Sequence, residues 1–169
     1  GQTLSTYVYG NALDAVLSMR RDADHDGTPE DYFYHSDDLD SVRTVSDGAG
    51  KVIERYRYGD YGVPRITGPG GAHRSSSAID NPLMFTGRRY DPESKLYYFR
   101  NRYLDPAAGR FITRDPIGAF GDSEHLGNAL VYAGNNPASR VDPLGLDTVE
   151  EVFKRDIAPL INQRDDWTP

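Results

Sequence analysis

The sequence predicts a mainly β fold, an antiparallel hairpin strip with a short compact C-terminal plug and a helix-prone tail. Three observations carry this. The 169 residues include 12 Tyr, 17 Gly and 11 Pro. Tyr forms strands and carries a polar tip suited to half-exposed sheet faces, while Gly and Pro punctuate tight turns. Short β-like runs bounded by Gly, Asp or Pro recur along most of the chain, the pattern of a hairpin ladder.

The elements follow in order. "LSTYVYG" and "DAVLSMRR" read as strands, joined through the acidic turn "DADHDG" to "DYFYHSD". "SVRTVSD", the turn "DGAG" and "KVIERYRYGDYG" continue the ladder. Thr67 to Asn81, "TGPGGAHRSSSAIDN", has little apolar content and reads as a flexible excursion from the sheet. Strands resume with "PLMFTGRRYD" and "KLYYFRNRYLD", and "GRFITRD" comes after the turn "DPAA". "RRYDPESKLYYF" and "NRYLDPAAGRF" repeat one scheme of aromatic strand, Asp-Pro turn and aromatic strand. Proline presets φ near −65° at the second turn position, and the preceding Asp caps free N–H groups.

Beyond Ile117 the apolar centre Leu130 to Tyr132 reads as a short helix or a buried turn, closed by "GNNP". After Leu146 the pattern changes again. Thr148 and Glu151 form a capping box, and Val149, Val152, Phe153, Ile157, Leu160 and Ile161 follow at helical spacing, with Pro159 as a stop or kink. The β-rich body and this tail meet at Leu146–Asp147.

Composition excludes several classes of function. A net charge of −7 without any Lys/Arg-rich run argues against nucleic acid and anionic membranes as partners. With no cysteine, disulfides, Cys-ligated zinc and Cys nucleophiles are ruled out. No apolar run approaches the ~18 residues of a membrane span. The N-terminus lacks Met, a basic n-region and an apolar h-region, so the chain reads as a piece of a longer polypeptide. His25, His35, His73 and His125 are scattered, and Ser75 to Ser77 lack a nucleophile elbow.

Two sets of residues carry chemistry. "TRDPIG" and "VDPLGL" place Asp115 and Asp142 in matching Asp-Pro-x-Gly turns. Two carboxylates close enough to share one proton are the requirement of aspartyl catalysis. Asp91 and Asp105 begin similar Asp-Pro turns that merely join hairpins, so the bland reading is a recurrent turn. In "DADHDG", Asp22, Asp24 and Asp26 alternate ahead of Gly27 like the first half of a calcium loop, with Glu30 at the ninth position. Phe33 stands where the twelfth-position acid belongs, and a charged hairpin tip serves solubility equally well.

The strings "YFYHSDDLDSVRTVSDGAGKVIERYRYGDYG", "FTGRRYDPESKLYYFRNRYLDPAAGRFITRDPIG" and "LVYAGNNPASRVDPLGL" resemble the RHS-repeat, or YD-repeat, proteins, specifically their RHS repeat-associated core. The resemblance covers residues 7 to 146 and implies a β-strip spiralling into a hollow shell. It implies a core over residues 1–146, with a hairpin strip 1–114 and a plug 115–146, then the start of a variable segment at 147–169. The implied setting is a large secreted or cell-surface bacterial polypeptide related to polymorphic toxins. The implied partners are the preceding YD repeats and an enclosed C-terminal effector.

The same resemblance implies an intramolecular aspartyl autoprotease in which Asp115 and Asp142 cut after Leu146, leaving Asp147 as a new N-terminus, with Arg114 as an accessory basic residue. "AFGDSEHLG" departs from the family as an insertion between the aspartates. The alternative is a non-catalytic structural or cell-surface adhesion or carbohydrate-binding module, in which both Asp-Pro-x-Gly motifs are turns fixing the plug. No cofactor is expected apart from calcium at the Asp22 loop.

Overall fold

The computed structural model describes residues 5–11, 13–116 and 128–146. The tail helix expected after Leu146, Asp147 itself, His125 and the "AFGDSEHLG" insertion lie outside the described residues.

Among the described residues, eleven strands form two antiparallel sheets. The first sheet is a meander of β1 (Thr6–Tyr9), β2 (Val16–Arg21), β3 (Glu30–Ser36), β4 (Val42–Asp47), β5 (Val52–Tyr58), β6 (Pro64–Thr67) and β7 (His73–Arg74), each paired with the next. The second contains β8 (Arg89–Asp91), β9 (Leu96–Phe99), β10 (Arg102–Asp105) and β11 (Arg110–Phe111), again in chain order. Sequential hairpins suit short strands, because each pairing closes only a small loop. No helix among the described residues is long and apolar enough to cross a membrane.

Aspartates build the turns as expected. Asp47 Oδ1 accepts the amides of Ala49 and Lys51, Asp91 Oδ1 that of Glu93, and Asp105 Oδ1 those of Ala107 and Ala108. Each carboxylate replaces a strand partner for amides the turn would leave unpaired.

Three expectations change. "KLYYFRNRYLD" is not one strand but two, β9 and β10, folded sharply at Arg100 and Asn101, where Arg100 takes φ 63°. "PLMFTGRRYD" is broken by a single 3-10 turn at Phe85–Gly87, leaving three residues for β8. Residues 67 to 81 are pinned rather than loose. β7 adds to the sheet, and the fully buried Glu54 carboxylate accepts Arg74 Nη1 at 2.8 Å, Ser77 Oγ at 2.8 Å, the Ala78 amide at 2.5 Å and the Tyr56 hydroxyl. A carboxylate given four donors can stay buried at tolerable cost.

The core lies where the sheets meet and is more aromatic than a half-exposed sheet face would require. Phe85 packs against Tyr58, Tyr97 and Tyr132, and Phe99, Phe111 and Tyr132 meet edge-on with centroids 5.2 to 5.7 Å apart. Several hydroxyls find partners inside: Tyr97 donates to the Gly62 carbonyl at 2.9 Å and Tyr34 to Asn81 Oδ1 at 2.7 Å. Tyrosine thus fills the core while its tip ties one sheet to the other. Leu130 to Tyr132 form no helix. Val131 bridges Arg110, and a 3-10 turn follows at Ala133–Asn135.

Candidate functional site

The plug returns the chain to the second sheet. The Phe111 amide donates to the Leu130 carbonyl at 2.9 Å and the Asp115 amide to the Ala129 carbonyl at 3.0 Å. The segment "DPLGL" then runs under the Arg100–Asn101 corner. Gly145 has φ +66°, and a Cβ there would collide with the Phe99 carbonyl oxygen, so only glycine fits.

These paths bring Asp115 and Asp142 together. Arg102 Nη2 stands 2.8 Å from Asp115 Oδ2 and 3.0 Å from Asp142 Oδ2. The two carboxylate oxygens are therefore no more than about 6 Å apart, within range of strong mutual influence. Arg102 is itself held on every side. Its Nε donates to the Gly145 carbonyl at 2.5 Å, its Nη1 to the Ala129 carbonyl at 3.2 Å, and its guanidinium lies 3.7 Å from the Phe111 ring centroid. Asp142 is 1% exposed, and its Oδ1 accepts the Leu146 amide at 3.1 Å.

This separates them from the hairpin aspartates. Asp91 and Asp105 spend their carboxylates on turn amides, whereas Asp115 and Asp142 each direct an oxygen at a buried guanidinium. Burial pushes the Asp142 carboxyl up to about 6, against the lowering influence of Arg102 and of the Leu146 and Gly145 amides.

A second ion-pair cluster adjoins the first. Asp14, at the end of the turn between β1 and β2, pairs with Arg88 and with Arg100, whose Nη2 is 2.5 Å from Asp14 Oδ1. Arg100 Nη1 also donates to the Pro143 carbonyl, and Asn101 Nδ2 donates to the Leu144 carbonyl at 2.9 Å. Burial lowers the Arg88 pKa, opposed by Asp14.

Sequence reasoning named Arg114 as the basic residue of this site. Arg114 is exposed, and Arg102 is the guanidinium between the aspartates. Arg102 escaped notice because it sat in what read as an uninterrupted strand. The signal was "RNR", two cations flanking an amide, of which a straight strand would place both cations on one face and the amide on the other.

At the acidic hairpin tip, Asp22, Asp24 and Glu30 have ligand oxygens within 4.8 Å of one another, while Asp26 is not part of that group. Asp26 Oδ1 instead accepts the Thr28 amide at 2.7 Å, and Asp22 Oδ2 and Asp24 Oδ1 accept the amides of Gly27 and Asp26. Turn capping therefore employs three of the four residues assigned to calcium. Elsewhere, a cavity of about 790 Å³ opens beside the second sheet, lined by Tyr7, Tyr90, Tyr98, Tyr103, Arg21 and Asp80 among others. Its lining contains neither Asp115 nor Asp142.

No family model matches the chain. Individual proteins do. It is 38% identical over 141 residues to a tRNA3(Ser)-specific nuclease, WapA, of Bacillus spizizenii, covering 83% of this chain and 6% of that protein. It is 36% identical over 115 residues to double-stranded DNA deaminase toxin A of Burkholderia cenocepacia, and 37% identical over 114 residues to toxin protein Tse5 of Pseudomonas aeruginosa. Each of these two matches covers 68% of this chain and 8% of the relative. In fold it is similar to the crystal structure of TcdB2-TccC3, with a TM-score of 0.67 over 85% of this chain and 7% of that one, at 22% identity. The chain thus spans less than a tenth of these relatives. The strip topology, the aromatic hairpin repeats and these matches agree: the chain belongs to the RHS-repeat proteins, as an RHS-associated core segment of the kind found in polymorphic toxins.

Proposed function

We propose that residues 1–146 form the shell-closing core of a larger secreted toxin-like protein, and that this core cuts its own chain after Leu146 to free the segment starting at Asp147. The observation that carries the reading is the convergence of Asp115 and Asp142 on Arg102 beside a segment whose Leu146 amide is bonded to Asp142. The relatives' names support the division of labour. A tRNA nuclease, a DNA deaminase toxin and a probable deoxyribonuclease share half or more of this small segment, which supports placing their differing activities elsewhere in those chains. One related structure is described as TcdB2-TccC3 without its hypervariable C-terminal region, which supports a boundary between core and variable segment.

In this mechanism the Asp115 carboxylate takes a proton from water as its oxygen adds to the Leu146 carbonyl carbon. Asp142, whose proton burial retains up to about pH 6, passes it to the departing nitrogen of residue 147. The C–N bond breaks, one water is consumed, and Leu146 gains a carboxylate. Arg102 supplies positive charge as the tetrahedral oxygen becomes negative. Presentation within one chain gives the reacting groups a high effective concentration. The preceding YD repeats would complete the shell around the released segment.

A second reading draws on the same triad. Arg102 stands where a shared proton would otherwise lie, so the aspartates would serve as anchors of a non-catalytic plug in a structural or adhesion module. Intact-mass measurement separates the two. Self-cleavage predicts a product ending at Leu146, abolished in both Asp115→Asn and Asp142→Asn. An intact wild-type chain, or a cut that persists in both variants, overturns it. Fragments ending at Asp115 or Asp142 would report acid lability of Asp-Pro bonds instead.

A further inference from the structure

We propose that the corner Arg100–Asn101–Arg102 is a register clamp: it fixes which peptide bond stands beside the aspartates and keeps the end at Leu146 docked after that bond is broken. The first half rests on the self-cleavage reading, and the second stands without it.

Three consecutive side chains grip three consecutive carbonyls. Arg100 holds Pro143, Asn101 holds Leu144 and Arg102 holds Gly145. The pairing resembles the addition of a strand to a sheet edge, with side-chain donors in place of backbone amides. A slip by one residue would break all three bonds together. It would also move a leucine onto the Phe99 carbonyl, where only Gly145 fits at φ +66°. Register is therefore set twice, by donors and by steric exclusion.

The clamp is also rigid. Arg100 is braced by Asp14 from the turn between β1 and β2, and Arg102 by Phe111, the Ala129 carbonyl and both aspartates. Every one of these contacts lies on the core side of the bond after Leu146. Hydrolysis adds water across that C–N bond, placing a carboxylate on Leu146 and a proton on the departing nitrogen, and removes none of them.

Hydrogen exchange read by mass spectrometry tests the clamp in the whole chain. A specific endoprotease site inserted after Leu146 allows the cut to be made without self-cleavage. The Gly145 and Leu146 amides, bonded to Asp142 at 3.4 and 3.1 Å, should stay protected to within about twofold after cutting. Arg100→Ala and Asn101→Ala should each speed their exchange about fivefold, the usual worth of one hydrogen bond. Arg102→Lys keeps the charge but cannot span two carbonyls and two carboxylates, so it should also lose protection while the tyrosine near-UV signal persists.

Protection lost on cutting the wild type, or wild-type exchange in all three variants, overturns the clamp. For the first half, the Asn101→Ala and Arg100→Ala chains should self-cleave more slowly or at additional bonds. A single junction cut at the wild-type rate overturns that half. Absence of any self-cleavage in the wild type defeats the aspartyl reading instead, and exchange still decides the clamp.

Discussion

Substitution of Asp142 by Asn at neutral pH should cost little stability or even add some, although the residue is 1% exposed and ion-paired. The reason is the burial of its charge, which raises the Asp142 carboxyl from 3.8 to about 6 against the lowering influence of Arg102. A carboxyl whose folded pKa is raised binds its proton more tightly when folded. Stability is then full below the unfolded value and falls as pH rises through the window from about 4 to about 6. A shift of about two units corresponds to roughly 3 kcal/mol spent by pH 7 to keep Asp142 ionised. Asn avoids that cost, still offers an oxygen to the Leu146 amide, and leaves Arg102 paired with Asp115.

Arg102→Gln is the contrasting change. It takes the shared guanidinium away from two buried carboxylates no more than about 6 Å apart, and removing one partner of a buried ion pair costs about 3–5 kcal/mol. Urea unfolding of the chain between pH 4 and 8 measures both variants. The wild type should lose stability across pH 4 to 6, Asp142→Asn should lack that slope, and Arg102→Gln should be the weakest at pH 7. A flat wild-type profile, or an Asp142→Asn cost above about 3 kcal/mol at pH 7, would refute the burial argument.

The other predictions concern separate parts of the fold. Glu54→Ala leaves the Tyr56 hydroxyl and the Ala78 amide without their acceptor. It should cost about 3 kcal/mol in urea unfolding and open residues 75–81 to limited proteolysis, while an unchanged digestion pattern would mean the loop is held by other contacts. Gly145→Ala drives a methyl group into the Phe99 carbonyl at a positive φ, so it should release the plug and raise exchange at Leu146 more than tenfold. Asp22, Asp24 and Glu30 hold three carboxylates within 4.8 Å, so millimolar calcium is expected to raise the Tm by a few degrees, and an unchanged Tm would leave Asp22 and Asp24 as turn caps alone.

Local chemistry determined what the sequence could settle by itself. Strand and turn assignments depend on residues a few positions apart, so Asp-Pro and Gly turns marked the ladder, and the Tyr-rich runs between them read correctly as antiparallel hairpins. The pairing of Asp115 with Asp142 was legible as a repeated motif, although its geometry was not. What remained hidden depended on long-range packing. The fold at Arg100–Asn101 carries no Gly or Pro, and Arg100 takes a positive φ there with its guanidinium paired to Asp14, distant in the chain.

Arg102 could not be chosen over Arg114 from sequence, since both stand near Asp-Pro turns and only the returning plug places one of them between the carboxylates. The Ser-rich stretch read as loose because its anchor, Glu54, lies more than twenty residues upstream. A turn is decided by its own residues, but a buried charge is decided by whichever partners the whole chain brings to it.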